Sequence, residues 1–166
     1  KSVSDLKTRI TKECESKDVC HDLYLQLGIE QETLGDLRSA LDAYEQASKN
    51  KPDSYIPYSN AGSIYQRIGQ REKAEEAYHK AITITPNNPS VYTKLFELYR
   101  YDFNKYPHEM IPFFTQAVKA TNSDLNVLRL YAFYLEDVND PESALKLWEV
   151  MAKENPDDQT IKNKVL

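Results

Sequence analysis

The sequence has few of the residues that mark other kinds of protein. It contains only four glycines and two cysteines among 166 residues, and so few glycines argue against a turn-rich β protein. Cys14 and Cys20 have neither a CxxC spacing nor histidine partners for zinc, so we interpret them as plain thiols or an incidental disulfide. No run of 18 apolar residues is present, and no segment of the sequence is predicted to span a membrane.

An excess of basic residues is also lacking. Acidic residues outnumber basic ones by 26 to 21, which gives a net charge of -5. Binding to nucleic-acid phosphates depends mainly on clustered lysine and arginine, so we expect no nucleic-acid partner. Aromatic residues make up 11% and charged residues 28% of the chain, which indicates a folded protein of one domain and not a disordered tail.

Motifs of enzyme and cofactor sites are absent. There is no GxSxG, P-loop or GxGxxG sequence. The segment His108–Pro112 is not the zinc motif HExxH, because Pro112 takes the place of the second histidine. His21, His79 and His108 fall at unrelated positions and imply no metal cluster. We therefore predict a protein that is not an enzyme and that holds no cofactor or metal.

The sequence does contain a repeat. Residues 58–86 align with residues 24–52 at a shift of 34. The matched residues of the earlier copy are Tyr24, Leu27, Gly28, Gly35, Ala40, Tyr44, Ala47 and Pro52. A copy near the end supplies Ala144, Trp148, Met151 and Pro156. The copy between them begins with Tyr92, Leu95 and Tyr99 but reaches Phe114 and Ala117 two residues late. The sequence therefore predicts four units, one of which carries an insertion.

Spacings of three and four within each copy place the apolar, aromatic and small residues on one face of a helix. The first helix of a copy is predicted to end at Gly35, Gly69 or Asn139. Asp36 and Asp140 are suited to cap the second helix. Pro52, Pro86 and Pro156 are expected to stop the second helix before the next copy begins.

This pattern resembles the tetratricopeptide repeat family. Residues 55–88 match all eight signature positions in type, and residues 21–54 depart only at Gln31, where an aromatic residue is usual. The resemblance implies an all-α fold, a right-handed α-solenoid of antiparallel helical hairpins. We assign repeats to residues 21–54, 55–88, 89–124 and 125–158, an N-terminal helix or repeat remnant to residues 1–20, and a partial capping helix, with Ile161, Val165 and Leu166, to residues 159–166.

The resemblance also implies a function, which is to bind a peptide segment of a partner protein. In this family the first helix of each hairpin lines a concave groove, where side chains not needed for packing are free to contact a ligand. By register we predict a groove formed by Asn60, Ser63, Arg67, Lys94, Glu97, Tyr101, Arg129 and Phe133. Its cations are suited to acidic side chains or a terminal carboxylate, and Leu25 and Ile29 offer it an apolar end. The partner is not named by the sequence.

The alternative is a structural assembly module that self-associates or docks through the apolar ends of its solenoid. We favour a cytoplasmic location. The chain begins at Lys1 without an initiator methionine, which suggests a fragment or processed product and leaves open an upstream signal or membrane anchor.

The insertion lies in residues 99–117. Pro107 is suited to the first position of a helix, whereas Pro112 removes a helix hydrogen bond, so we predict a delayed or kinked start for this helix. Phe103, Tyr106 and Phe113 are predicted to fill the space that the extra residues open.

Overall fold

The computed structural model describes residues 2–165. Lys1 and Leu166, at the outer ends of the two predicted terminal segments, lie outside these residues. Within residues 2–165 there are ten α-helices and one π-helical turn and no strand, which confirms the all-α prediction. The helices are α1 (Val3–Glu13), α2 (Lys17–Thr33), α3 (Leu37–Asn50), α4 (Ile56–Arg67), α5 (Arg71–Ile84), α6 (Pro89–Glu97), α7 (Pro107–Ala120), α8 (Leu125–Asp137), α9 (Pro141–Glu154) and α10 (Gln159–Val165), and the π-turn is Leu98–Asp102.

The chain divides into two compact units between Pro86 and Asn87. Unit 1 holds α1 to α5, and unit 2 holds α6 to α10. In unit 1 the hairpins are α2 with α3 and α4 with α5, and α1 packs against α2 through a cluster that contains Leu6, Leu27 and Ala43. A disulfide between Cys14 and Cys20 joins the end of α1 to the first turn of α2.

The predicted helix ends and caps are confirmed. Gly35 and Gly69 follow the first helices with φ angles of 83° and 74°, a left-handed conformation that glycine adopts without a steric penalty. The carboxylate of Asp36 accepts a hydrogen bond from the Ser39 amide at 3.2 Å and so caps α3. The second helices α3, α5 and α9 each end two residues before the predicted prolines.

The π-turn shows where the two inserted residues go. In the other three hairpins, one backbone amide in the turn donates a hydrogen bond to the carbonyl five residues earlier. Gln70 does so with Tyr65, and the residue that donates this bond directly precedes the second helix of its hairpin. In the third hairpin Lys105 bonds the carbonyl of Tyr99, six residues earlier, and Tyr106 stands between Lys105 and α7. One extra residue therefore widens the turn, and the other lengthens the connection to α7.

Of the two alternatives predicted for α7, the delayed start is wrong, and the kink stays a prediction. The helix begins at Pro107, which confirms the prediction that Pro107 occupies the first helical position. Pro112 lies inside the helix. The carboxylate of Glu109 accepts a hydrogen bond from the Tyr106 amide at 3.0 Å, which fixes the early start. A proline at the first helical position has no amide to leave unpaired, so Pro107 and Glu109 together outweigh the hydrogen bond lost at Pro112.

Two of the three aromatic residues predicted to fill the insertion do so. The ring centroid of Tyr99 lies 6.2 Å from that of Phe103 and 5.5 Å from that of Phe113, both in edge-on arrangements. Tyr106, in contrast, is 69% exposed and stacks on His108. The prediction is wrong for Tyr106 because the lengthened connection carries its ring out of the core.

Candidate protein-binding surface

A repeated hydrogen bond ties the two helices of three hairpins together. The Tyr44 hydroxyl donates to Glu32 at 2.9 Å, the Tyr78 hydroxyl to Gln66 at 3.1 Å, and the Trp148 indole to Glu136 at 2.8 Å. In each case the acceptor stands 12 residues before the ring, near the end of the first helix. This spacing is visible in the sequence, and it was the signal by which the pairs could have been found.

In unit 1 the Glu32 carboxylate joins two first helices. It accepts the Tyr44 hydroxyl of α3 and also a hydrogen bond from the Arg67 guanidinium of α4 at 2.8 Å. Arg67 belongs to the predicted groove, and this ion pair gives it a carboxylate partner within the chain. A ligand carboxylate would have to compete with Glu32 for the same guanidinium.

The other two predicted residues of unit 1 also lie on α4. Asn60 is half-buried beside the Tyr44 hydroxyl, whose pKa is raised mainly by burial and further by Glu32. The Ser63 hydroxyl donates to the Ser59 carbonyl at 3.2 Å, and its oxygen lies 3.3 Å from the oxygen of the Tyr78 hydroxyl. Asn60, Ser63 and Arg67 therefore line one face of α4, as the helical spacing predicts.

Three large apolar side chains stand exposed on the first helices of unit 1, namely Val19, Ile29 and Ile56. Ile29 of α2 is 47% exposed and Ile56 of α4 is 37% exposed. Leu25, the other residue of the predicted apolar end, packs against the cluster of Ala40, Tyr44 and Ile64 and is half-buried. Ile29 therefore retains the exposure that a contact residue needs, whereas Leu25 contributes mainly to packing.

In unit 2 the last helix engages two predicted groove residues. The Lys164 ammonium lies 2.6 Å from the Glu136 carboxylate and 5.0 Å from the ring centroid of Phe133. The Arg129 guanidinium pairs with the carboxylate of Asp158, directly before α10. Both Arg129 and Phe133 therefore interact with the segment that leads into and forms α10.

The remaining predicted residues of unit 2 lie on α6 and in the π-turn. Lys94 is half-buried and Glu97 is exposed, both on α6. Tyr101 of the π-turn is 68% exposed and meets the edge of the Phe96 ring at 6.4 Å. Next to it in the π-turn, Arg100 has its guanidinium 5.5 Å from the Tyr134 ring centroid. The eight-residue groove as a whole remains a prediction.

Acidic pH should weaken the attachment of α10. Burial alone raises the pKa of Glu136, but hydrogen bonds from Lys164 and Trp148 outweigh it and hold that pKa below its usual value. The Ile161 amide, and to a lesser extent Arg129, lowers the pKa of Asp158. A carboxylate whose pKa is lower in the folded than in the unfolded chain stabilises the fold at pH values above its unfolded pKa, which is about 4.3 for Glu and 3.9 for Asp. This stabilisation is lost as the pH falls through the folded-state pKa.

We therefore expect the thermal midpoint of unit 2 to fall on acidification below about pH 4. Trp148 is the single tryptophan, so its fluorescence reports on unit 2 alone. Glu136→Gln keeps an acceptor for the indole but removes the charge opposite Lys164, and it should flatten the acid dependence. An identical dependence in this variant and the unaltered chain would contradict the assignment.

The part of the chain that the structure describes contains neither a candidate metal site nor a candidate membrane span. No group of three or more histidine, cysteine or acidic residues is placed to hold a metal ion among residues 2–165. Over the same residues, no helix combines the length and the apolar character needed to cross a membrane.

The chain is similar to a known protein family and to parts of known proteins. The tetratricopeptide repeat family matches residues 17–164. A curated relative, the photosystem I assembly protein Ycf3 of Rippkaea orientalis, is 33% identical over 87 residues, which are 50% of this chain and 50% of that protein. The Ycf3 protein of a Synechococcus species is 37% identical over 71 residues, or 41% of each chain. The matched segment thus spans about half the length of these relatives or less.

Solved structures share the fold at low sequence identity. The structure of YrrB, described as a tetratricopeptide repeat protein with an unusual peptide-binding site, superposes with a TM-score of 0.65 at 16% identity, covering 99% of this chain and 81% of YrrB. A structure of MamA superposes with a TM-score of 0.68 at 16% identity, covering 93% of this chain and 88% of MamA. These likenesses establish the fold.

Proposed function

The chain belongs to the tetratricopeptide repeat family, and on that premise we propose that it is a non-catalytic scaffold that binds a segment of a partner protein on its first helices. The observation that carries the proposal is the pair of exposed isoleucines, Ile29 and Ile56, on the first helices of unit 1. Protein contact sites combine an apolar centre with a polar rim, and we assign the two isoleucines to the apolar part of such a site. Asn60, on the same helix as Ile56, supplies an amide able to bond a peptide backbone.

The ion pairs within the chain favour one ligand chemistry over another. Arg67 and Arg129 already pair with Glu32 and Asp158, so binding a ligand carboxylate there gains less than binding to an unpaired cation. We therefore propose a ligand that is held chiefly by apolar side chains and backbone hydrogen bonds, and only secondarily by charge. This departs from the acidic ligand that the sequence alone suggests.

We further propose that the scaffold serves the assembly of a larger complex. Two of the curated relatives are named as assembly proteins of photosystem I, and each shares about half of its length or less with this chain. What carries over is the class of task, in which a helical repeat holds partner segments during assembly. The identity of the complex does not follow from the partial match.

A pair of matched double variants tests the binding face. Ile29→Asp with Ile56→Asp places two charges among the first helices and should abolish capture of partners from a lysate of the native source. Leu34→Asp with Ile68→Asp makes the same chemical change at two exposed positions that directly follow α2 and α4, and it should leave capture intact. Captured proteins are identified by mass spectrometry, and helicity is checked by circular dichroism.

Loss of the same captured proteins in both double variants would show that the first helices of unit 1 are not selectively involved. An unchanged captured set in the Ile29 and Ile56 variant would overturn the proposal outright. Because all four positions are at least a third exposed, none of these changes is expected to unfold unit 1.

A further inference from the structure

Unit 1 has a second groove on another side of α4. It lies between α3 and α5 with α4 as its floor, and its volume of about 480 Å³ falls within the range of ligand-binding pockets, about 300–1,000 Å³. The floor consists of Tyr58, Ala61 and Tyr65, which recur at helical spacing. Asn60 and Ser63 fall on the opposite side of α4 by the same spacing, so the two surfaces are distinct.

The space in this groove comes from one small side chain. Ala61 stands at the repeat position that Leu27 holds in the preceding repeat and Leu95 holds in the following one. Both leucines are buried, and Leu27 packs in a cluster with Leu6 of α1 and Ala43 of α3. The corresponding groove beside Leu27 has only about 260 Å³. Ala61 therefore leaves open a space that a leucine side chain fills elsewhere in the chain.

The length of the floor fits a helix. Tyr58 and Tyr65 are two helical turns apart, which corresponds to about 10 Å at a rise of 1.5 Å per residue. A helix laid along this floor presents apolar side chains at the same interval, so its central anchor would meet Ala61. An extended segment would offer only about three residues over this distance.

The walls of the groove carry charges of both signs. Lys80 and Lys73 of α5 place their ammonium groups 5.0 Å and 5.6 Å from the ring centroids of Tyr58 and Tyr65. Glu76 lies on the same wall as the two lysines, and on the facing wall α3 contributes Asp42, Glu45 and Arg38. Among residues 2–165 neither lysine has a carboxylate ion-pair partner, and Asp42 has no cation as a partner. Lys73, Lys80 and Asp42 can therefore pair with a ligand without breaking an ion pair of the chain.

We propose that the groove between α3 and α5 binds an amphipathic helix of a partner protein. An apolar anchor, leucine or methionine, fills the space beside Ala61. Acidic residues along one flank of the helix pair with Lys73 and Lys80, and a basic residue on the other flank pairs with Asp42. The site is separate from the binding face of the first helices, so a single copy of the chain can hold two partner segments.

The test uses a synthetic alanine-based helix of about 15 residues, with leucines along one stripe, glutamates along one flank and lysines along the other. Its titration is followed by the backbone amide NMR signals of the full chain. We expect the largest changes at Ala61 and Ala77. Ala61→Leu should weaken binding at least about tenfold while it raises the thermal midpoint, because the leucine fills an open space. A loss of binding in this variant is then not a loss of folding.

Charge variants give an independent readout. Lys73→Glu with Lys80→Glu should weaken binding roughly tenfold, whereas Lys12→Glu with Arg71→Glu, an equal change of charge at exposed positions outside the groove, should not. The groove proposal is overturned if the peptide fails to bind, if Ala61→Leu binds it unchanged, or if the amide changes fall on Ile29 and Ile56. Those two isoleucines test the proposed function separately, so the two proposals fail independently.

Discussion

Replacing Trp148 by alanine should lower the free energy of unfolding by about 3–5 kcal/mol. The indole is 1% exposed and belongs to a buried cluster with Leu128 and Met151 that joins α8, α9 and α10. Its removal leaves a cavity among these helices and leaves the half-buried Glu136 without its indole donor. Urea unfolding followed by circular dichroism measures the loss, since the fluorescent residue is itself removed.

Trp148→Phe separates the packing from the hydrogen bond. Phenylalanine keeps most of the apolar surface but cannot donate to Glu136, so we expect a smaller loss of about 1–3 kcal/mol. A reduced attachment of α10 should accompany it, because Lys164 pairs with the same carboxylate and lies over the same ring. Equal losses for the alanine and phenylalanine variants would mean that packing around the indole contributes little.

The regular parts of the fold were predictable because they depend on local chemistry. A repeat shift of 34 residues places Gly69 and Pro86 where Gly35 and Pro52 stand, and each of these residues acts on its own backbone. Glycine permits a left-handed turn and proline ends a helix whatever surrounds them. For this reason the predicted and observed helix ends agree to within a residue or two in all three regular hairpins.

The third hairpin was less predictable because its structure depends on packing between helices. Phe96 stands at the position that holds Gly28, Gly62 and Ala132 in the other repeats. Its ring occupies the place where the second helix approaches most closely elsewhere, and α6 packs less closely on α7 than the first and second helices do in the other hairpins. The two inserted residues and the π-turn accompany this wider spacing between α6 and α7. The number of inserted residues alone does not predict the spacing.

The charge pairing of the predicted groove residues could not be read from the sequence, and the groove itself stays a prediction. Helical register correctly placed Asn60, Ser63 and Arg67 on one face of α4. The partner of Arg67 is Glu32, which lies in the preceding repeat, and that of Arg129 is Asp158, in the turn before α10. Such pairs depend on the stacking of successive helices, so a list of groove residues taken one repeat at a time does not show them.

Gly62 allows the closest approach between helices in the second hairpin. A Cβ atom built at this residue would lie 2.6 Å from Cε1 of Tyr78, well inside van der Waals contact. The Tyr78 ring is 1% exposed, and its hydroxyl is held by Gln66 and Ser63. The ring therefore cannot move aside without losing these bonds.

Gly62→Ala should consequently destabilise unit 1 by about 2 kcal/mol, even though alanine is favoured over glycine in a helix by about 1 kcal/mol. The gain in helix propensity and the steric overlap with the Tyr78 ring oppose each other, and the overlap is larger because the ring is buried and hydrogen-bonded. Gly28→Ala should behave alike, because its Cβ would lie 2.5 Å from Cε1 of Tyr44.

The matched control is Gly62→Ala combined with Tyr78→Leu, which removes the overlapping ring atoms. In that background the alanine should no longer lower the free energy of unfolding measured in urea. Stabilisation by Gly62→Ala alone would mean that the hairpin opens readily, and the face carrying Asn60 and Ser63 would then not be rigidly held.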